Sequence, residues 1–270
     1  MKATKTAKTK KSKSGFAALI IPLALIASEC VYYFVMGDGS HFVGGNNQNA
    51  NLPGDYFGIV FKGGFIVPLL MTLLLTVLVF VVERQLTISR AAGSGNVHDF
   101  VQKVKGYLSE NNVEAAIEAC DKQKGSVANV IRAVVVKYRI LEGDTTMVKD
   151  QKLTSLQKEI EEATSLELPS LEENLVILAT ITSLATLMGL LGTVLGMIRA
   201  FAALANAGAP DSVALANGIS EALVNTAFGI GTSVLAVIFY NFFTSKIDKL
   251  TYSIDEAGFS IVQSYAANHK

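Results

Sequence analysis

The chain has 270 residues, half of them hydrophobic, with 23 basic and 23 acidic side chains and no tryptophan. A formal net charge of zero argues against a general nucleic-acid binder. Charged residues make up 17%, against about a quarter in an ordinary soluble domain. The deficit is local. Residues 95–170 are normally charged, while four other stretches are almost charge-free and long enough to cross a bilayer. Cys30 and Cys120 have no metal or redox spacing and read as reduced thiols packed as small hydrophobes. His41, His98 and His269 are scattered, so neither a metal site nor a cofactor is expected.

In chain order, residues 1–15 hold six lysines among Thr, Ser and Ala and read as a basic disordered cytoplasmic tail. Residues 16–36 form an apolar run without a small-x-small cleavage site, which predicts an uncleaved signal-anchor transmembrane helix. Residues 37–62 are rich in Gly and Asn with almost no periodicity, and predict a periplasmic loop with a short interfacial segment around Tyr56–Phe61. A second transmembrane helix is expected over 63–83, closed by Glu83-Arg84 and Arg90 on the cytoplasmic side. Residues 84–170 predict a helical cytoplasmic domain. In it Val97, Val101, Val104 and Leu108 recur at helical spacing, Lys124-Gly125-Ser126 breaks a helix, and Gly143-Asp144-Thr145-Thr146 restarts one.

Two long transmembrane helices follow, over 171–204 and 213–245, joined by a periplasmic hairpin at 205–212 and trailed by a cytoplasmic tail at 246–270. Each is about 45 Å long at 1.5 Å per residue, more than the ~30 Å hydrocarbon core requires, so both should tilt or extend into the cytoplasm. Four spans place both termini inside. The fold class expected is an all-α polytopic membrane protein.

The first long helix carries Gly189-Leu190-Leu191-Gly192-Thr193-Val194-Leu195-Gly196. Glycines three and four apart line one face and let a second helix approach closely, and packing alone accounts for Gly189, Gly192, Gly196 and, on the return helix, Gly229. The return helix carries Glu221 inside an otherwise uncharged stretch. An ionisable group there marks an ion path, a buried pair, or a side chain reaching the interface. Counting from the hairpin, Thr193 and Thr226 fall at the same level within ~3 Å. Arg199 and Glu221 fall nearer the outer side and form a candidate buried ion pair, which would relieve the cost of either charge alone.

These residues carry a resemblance. The pattern from Gly189 to Gly196 looks like the second transmembrane helix of the MotA/TolQ/ExbB proton-channel family. Ile219-Ser220-Glu221-Ala222-Leu223, then Thr226-Ala227-Phe228-Gly229, then Tyr240-Asn241 resembles its third. The resemblance covers about two thirds of the chain and implies five subunits around two copies of a single-span ExbD/TolR-like partner, whose membrane Asp takes up and releases protons. This chain would supply the lining, Thr193, Thr226, Glu221 and Asn225, in a bacterial inner membrane. The modest soluble loop favours the ExbB branch, which energises a TonB-like protein, over the TolQ branch of the Tol-Pal system, and both over a flagellar MotA. A membrane scaffold without ion flux is the reading from another class. No nucleophile–base pair, metal cluster or phosphate loop supports an enzyme. Two features depart from the family: Leu235 stands where a proline is frequent, and the helix over 16–36, with its Glu29, is absent from the shortest members.

Overall fold

The structure is a computed structural model that describes residues 14–205 and 211–268. Apart from its last two positions the expected basic tail lies outside them, as do residues 206–210 of the expected hairpin and the final two residues. Among the described residues the fold is all α with no strand, the one extended pairing being an isolated bridge between Phe42 and Asn51. Four helices are long and apolar enough to cross a membrane, which makes the chain a polytopic membrane protein. The chain divides into two compact units.

The first unit takes residues 1–80 and 177–237. Helix α1 (Ser14–Cys30) contains Pro22 and continues as a π-helical turn over Val31–Met36. Helix α2 (Tyr56–Phe61) is short, and α3 (Ile66–Ala92) begins in this unit. Tyr32, Met36, Val67 and Met71 form a core against Phe61, Val224 and Phe228. The Tyr32 ring stacks on Phe61 at 4.8 Å, and its hydroxyl donates to the Phe61 carbonyl at 2.8 Å.

Residues 37–62 fold into a cap despite lacking periodicity, because side chains supply the hydrogen bonds that a regular ladder would. Asp55 caps α2 by accepting from the Gly58 amide at 3.0 Å and also meets His41 Nδ1 at 2.8 Å. Lys62 Nζ donates to the Asn47 and Gln48 carbonyls at 3.0 and 3.2 Å. Asn49 donates to the Val43 carbonyl at 2.8 Å. Acceptance from Gly58 and from His41 holds the Asp55 carboxyl below the ordinary aspartate range.

The second unit takes residues 81–176 and 238–270. Helices α4 (Val97–Ser109), α5 (Val113–Gln123), α6 (Gly125–Glu142) and α7 (Lys149–Glu172) bury Phe100, Val104, Leu108, Ile131, Val134 and Leu156. Burial pushes the Cys120 thiol up to about 12. At the end of α7, Asn174 takes a positive φ of 65°, and Arg84, 1% exposed, donates to the Leu171 carbonyl at 3.2 Å. The other guanidinium nitrogens of Arg84 bind both carboxylate oxygens of Glu83 at 2.5 and 2.6 Å, so the buried charge is paired. Glu83-Arg84 therefore does not close α3, which runs on to Ala92.

Helix α8 is Leu175–Ala205, and α9 runs from Ser212 to Asn268 without a break. The return helix expected to end at 245 thus continues through the segment read as a tail. The cause is a buried stripe of Ile247, Leu250, Ile254, Ala257, Ile261 and Tyr265, spaced three or four apart on one face. Tyr265 donates to the Leu141 carbonyl at 3.0 Å and Asn268 to the Leu108 carbonyl at 3.1 Å, tying the helix end to α6 and α4.

Candidate functional site

Helices α8 and α9 pack antiparallel through small residues. Gly196 lies against Ala222 and the Gly218 carbonyl, and Gly189 lies against Gly229 and the backbone of Asn225. A Cβ on Gly229 would stand 2.6 Å from the Ala185 carbonyl oxygen, which is backbone and cannot yield. Gly189, Gly196 and Gly229 therefore face the partner helix. Gly192 gives its space to the Asn225 side chain instead, where a Cβ would lie 2.6 Å from Asn225 Cγ. Sequence reasoning missed Gly218, whose Cβ would meet the Gly196 carbonyl at 2.8 Å. Its spacing from Gly229, three turns along one face of α9, is the signal that marks it.

This close approach brings the polar residues together. The hydroxyls of Thr193 and Thr226 are in hydrogen-bond contact across the two helices. Thr193 also reaches the Gly189 carbonyl at 3.2 Å and Thr226 the Ala222 carbonyl at 3.1 Å, so each can keep its proton on its own helix or pass it over. Both are half-buried, and Leu190, Val194, Leu223 and Ile230 beside them are exposed apolar residues.

Nearer the C-terminal end of α8 and the N-terminal end of α9, Arg199 Nη1 donates to both carboxylate oxygens of Glu221 at 2.6 and 2.7 Å. The Glu221 side chain is 5% exposed and that of Arg199 is 52% exposed. The guanidinium also lies 6.0 Å from the centre of the Phe65 ring, within reach of a cation–π attraction. Gly64 covers the pair. Its φ is +76°, and a Cβ there would fall 2.5 Å from Glu221 Oε1. One turn further in, Asn225 is fully buried and donates to the Gly63 carbonyl at 2.8 Å. Asn225 thus sits inside the unit, between α9, Gly192 of α8 and the turn before α3.

From the sequence, Gly63-Gly64 marks only the start of a span. Adjacent glycines, one with positive φ, mark close backbone approach, and here they approach the carboxylate and the amide of α9. Over 175–205 and 212–245, Arg199 and Glu221 are the only charged residues. At the level of Thr193 and Thr226 the pair of helices offers hydroxyls and carbonyls. These can donate to and accept from water or a carboxyl, but no side chain at that level ionises near neutral pH. Among the described residues no group of three or more His, Cys, Asp and Glu is placed to hold a metal ion.

A family model described as the MotA/TolQ/ExbB proton channel family matches residues 122–256. The chain is 37% identical over 94 residues to the biopolymer transport protein ExbB-like 3 of Synechocystis sp., covering 34% of this chain and 45% of that one. It is 32% identical over 124 residues to the Tol-Pal system protein TolQ of Pseudomonas aeruginosa, covering 46% and 54%. It is 29% identical over 144 residues to the biopolymer transport protein ExbB of Xanthomonas campestris, covering 51% and 56%. The chain spans about half the length of these curated relatives, and both the ExbB and the TolQ name occur among them.

Proposed function

The chain belongs to the MotA/TolQ/ExbB proton channel family, and from that premise we propose that it is the channel subunit of an inner-membrane motor. The motor converts the proton motive force into work, and its output energises TonB-dependent transport across the outer membrane. Five copies surround a dimer of an ExbD-like single-span protein. Both termini lie in the cytoplasm, where Lys246 and Lys249 and the N-terminal lysines belong by charge. The chain conducts and positions; it catalyses no covalent reaction.

One observation carries this reading: the contact between the Thr193 and Thr226 hydroxyls in two largely apolar helices, at a level without an acid. A proton cannot rest on a threonine at neutral pH, so the carrier is a carboxyl from the partner chain. Hydroxyls that both donate and accept stabilise that carboxyl in either protonation state and link it to water. The Arg199–Glu221 pair keeps the outer approach polar without adding net charge. The TolQ relative favours a second reading, in which the same machinery drives the Tol-Pal envelope system. A TonB or a Pal gene beside this one decides between the two.

The test is Thr193→Val and Thr226→Val in a proton-dependent uptake assay, with the assembled complex measured by mass. Valine keeps the shape and removes the hydroxyl. Activity should fall about tenfold or more, the effect of removing one positioned hydrogen-bonding group, while complexes remain intact. Complexes lost in step with activity would instead assign the threonines to packing and the chain to a scaffold role.

A further inference from the structure

Asn225 is held by one end of its amide only. Nδ2 donates to the Gly63 carbonyl at 2.8 Å, whereas Oδ1 is buried and accepts from no donor among the described residues. The amide cannot be turned round, because the Gly63 carbonyl only accepts and must face the NH2 group. Buried acceptors are nearly always satisfied, and where protein donors are absent an ordered water supplies the bond. The hydroxyls of Ser28, Thr164 and Thr232 are also buried without partners. Each of those can rotate about χ1 to bond its own helix, an option the fixed Asn225 amide lacks.

Glu221 stands one turn earlier on the same face of α9 and is 4% exposed. Its two oxygens share the single donor Arg199 Nη1, which leaves acceptor capacity on the carboxylate. Both side chains meet the same turn, Asn225 at the Gly63 carbonyl and Glu221 beside Gly64. We propose that a buried water bridges them, donating one hydrogen to Asn225 Oδ1 and the other to the Glu221 carboxylate. A water has two hydrogens for two acceptors. A metal cation in its place would add charge where Arg199 already neutralises Glu221, at high cost within a membrane. Asn225 is then a positioning residue. Resting on the channel reading above, its water extends the polar path inward from the Arg199–Glu221 pair by one helical turn, about 6 Å, to the level of Thr226.

The test is a cryo-EM map of the full-length protein in complex with its proposed single-span partner in lipid nanodiscs, at a resolution that shows ordered water, for the wild type and Asn225→Leu. Proton flux is measured in vesicles on the same preparations and on Asn225→Ala. Density within hydrogen-bond reach of both Asn225 Oδ1 and a Glu221 oxygen is expected, and should vanish in the leucine variant. Flux should drop about tenfold with leucine, which excludes water, and stay within about threefold with alanine, where water can fill the vacated space. Both variants lose the bond to Gly63, so similar melting temperatures with unequal flux separate the water from a purely structural role. A well-resolved Asn225 without adjacent density, a direct bond between Asn225 and Glu221, or, where the wild type conducts, equal flux in the two variants overturns the proposal. Density is legible even in a preparation that conducts no protons. Water present without wild-type flux therefore supports the bridge while rejecting the channel reading and the relay built on it.

Discussion

At Glu221 the side chain is 5% exposed, while Arg199, which binds both of its carboxylate oxygens, is 52% exposed, so cutting the pair from either end has different consequences. Arg199→Met strands a carboxylate in a nearly dry position and should cost about 3 kcal/mol of stability. Glu221→Gln leaves a neutral amide that still accepts a hydrogen bond, and the freed guanidinium can turn to solvent, so the loss should stay near 1 kcal/mol. Thermal unfolding of the purified complex measures both. If the glutamine variant proves the weaker, the carboxylate is not what the arginine protects. In the cap, Asp55 answers to pH. Its carboxyl is held below the ordinary range by the Gly58 amide and by His41, so its contribution is present above that range and is lost as pH falls through the lowered value. The protection of the Gly58 amide against hydrogen exchange, taken relative to the intrinsic rate at each pH, should therefore fall on acidification. Asp55→Asn, which keeps an acceptor without a charge, should flatten that dependence.

At the scale of the helix, glycines on one element have opposite roles. Gly229→Ala would drive a methyl into the Ala185 carbonyl and the Gly189 backbone, whereas Gly231 faces open space. The first substitution should cost about 2 kcal/mol or more through forced separation of α8 and α9. The second should be neutral or stabilising by up to about 1 kcal/mol, because alanine is the better helix former. Melting curves of the two variants side by side distinguish a packing seam from general helix weakening; equal losses would mean that the seam is not tightly packed. These elements also mark what the residue pattern could reveal. The seam on α8 was legible because glycines at three- and four-residue spacing have few other uses in a long apolar run. The cap over 37–62 was not, since its order comes from Asp55, Lys62, Asn47 and Asn49 bonding to nearby groups, and such bonds leave no period. The C-terminal end of α9 was obscured by Lys246 and Lys249, which look like a membrane boundary although the buried stripe from Ile247 to Tyr265 continues past them.

For the whole molecule, the levels of Thr193 and Thr226 could be matched by counting from the hairpin, because an uninterrupted helix rises uniformly. The burial of Asn225 could not, since it depends on the Gly63-Gly64 turn, which is far away in sequence and carries no side chain to betray its neighbour. What results is a chain with hydroxyls, an ion pair and a buried amide in its apolar helices, but no acid at the threonine level. The most direct measurement is proton uptake into vesicles that hold this protein alone or together with the proposed single-span partner. We expect flux only with the partner present, and its loss when Thr226 becomes valine in an intact complex. Equal flux from this chain alone, or full flux through the Thr226→Val complex, would contradict the proposal that it is half of a proton path completed by another chain's carboxylate.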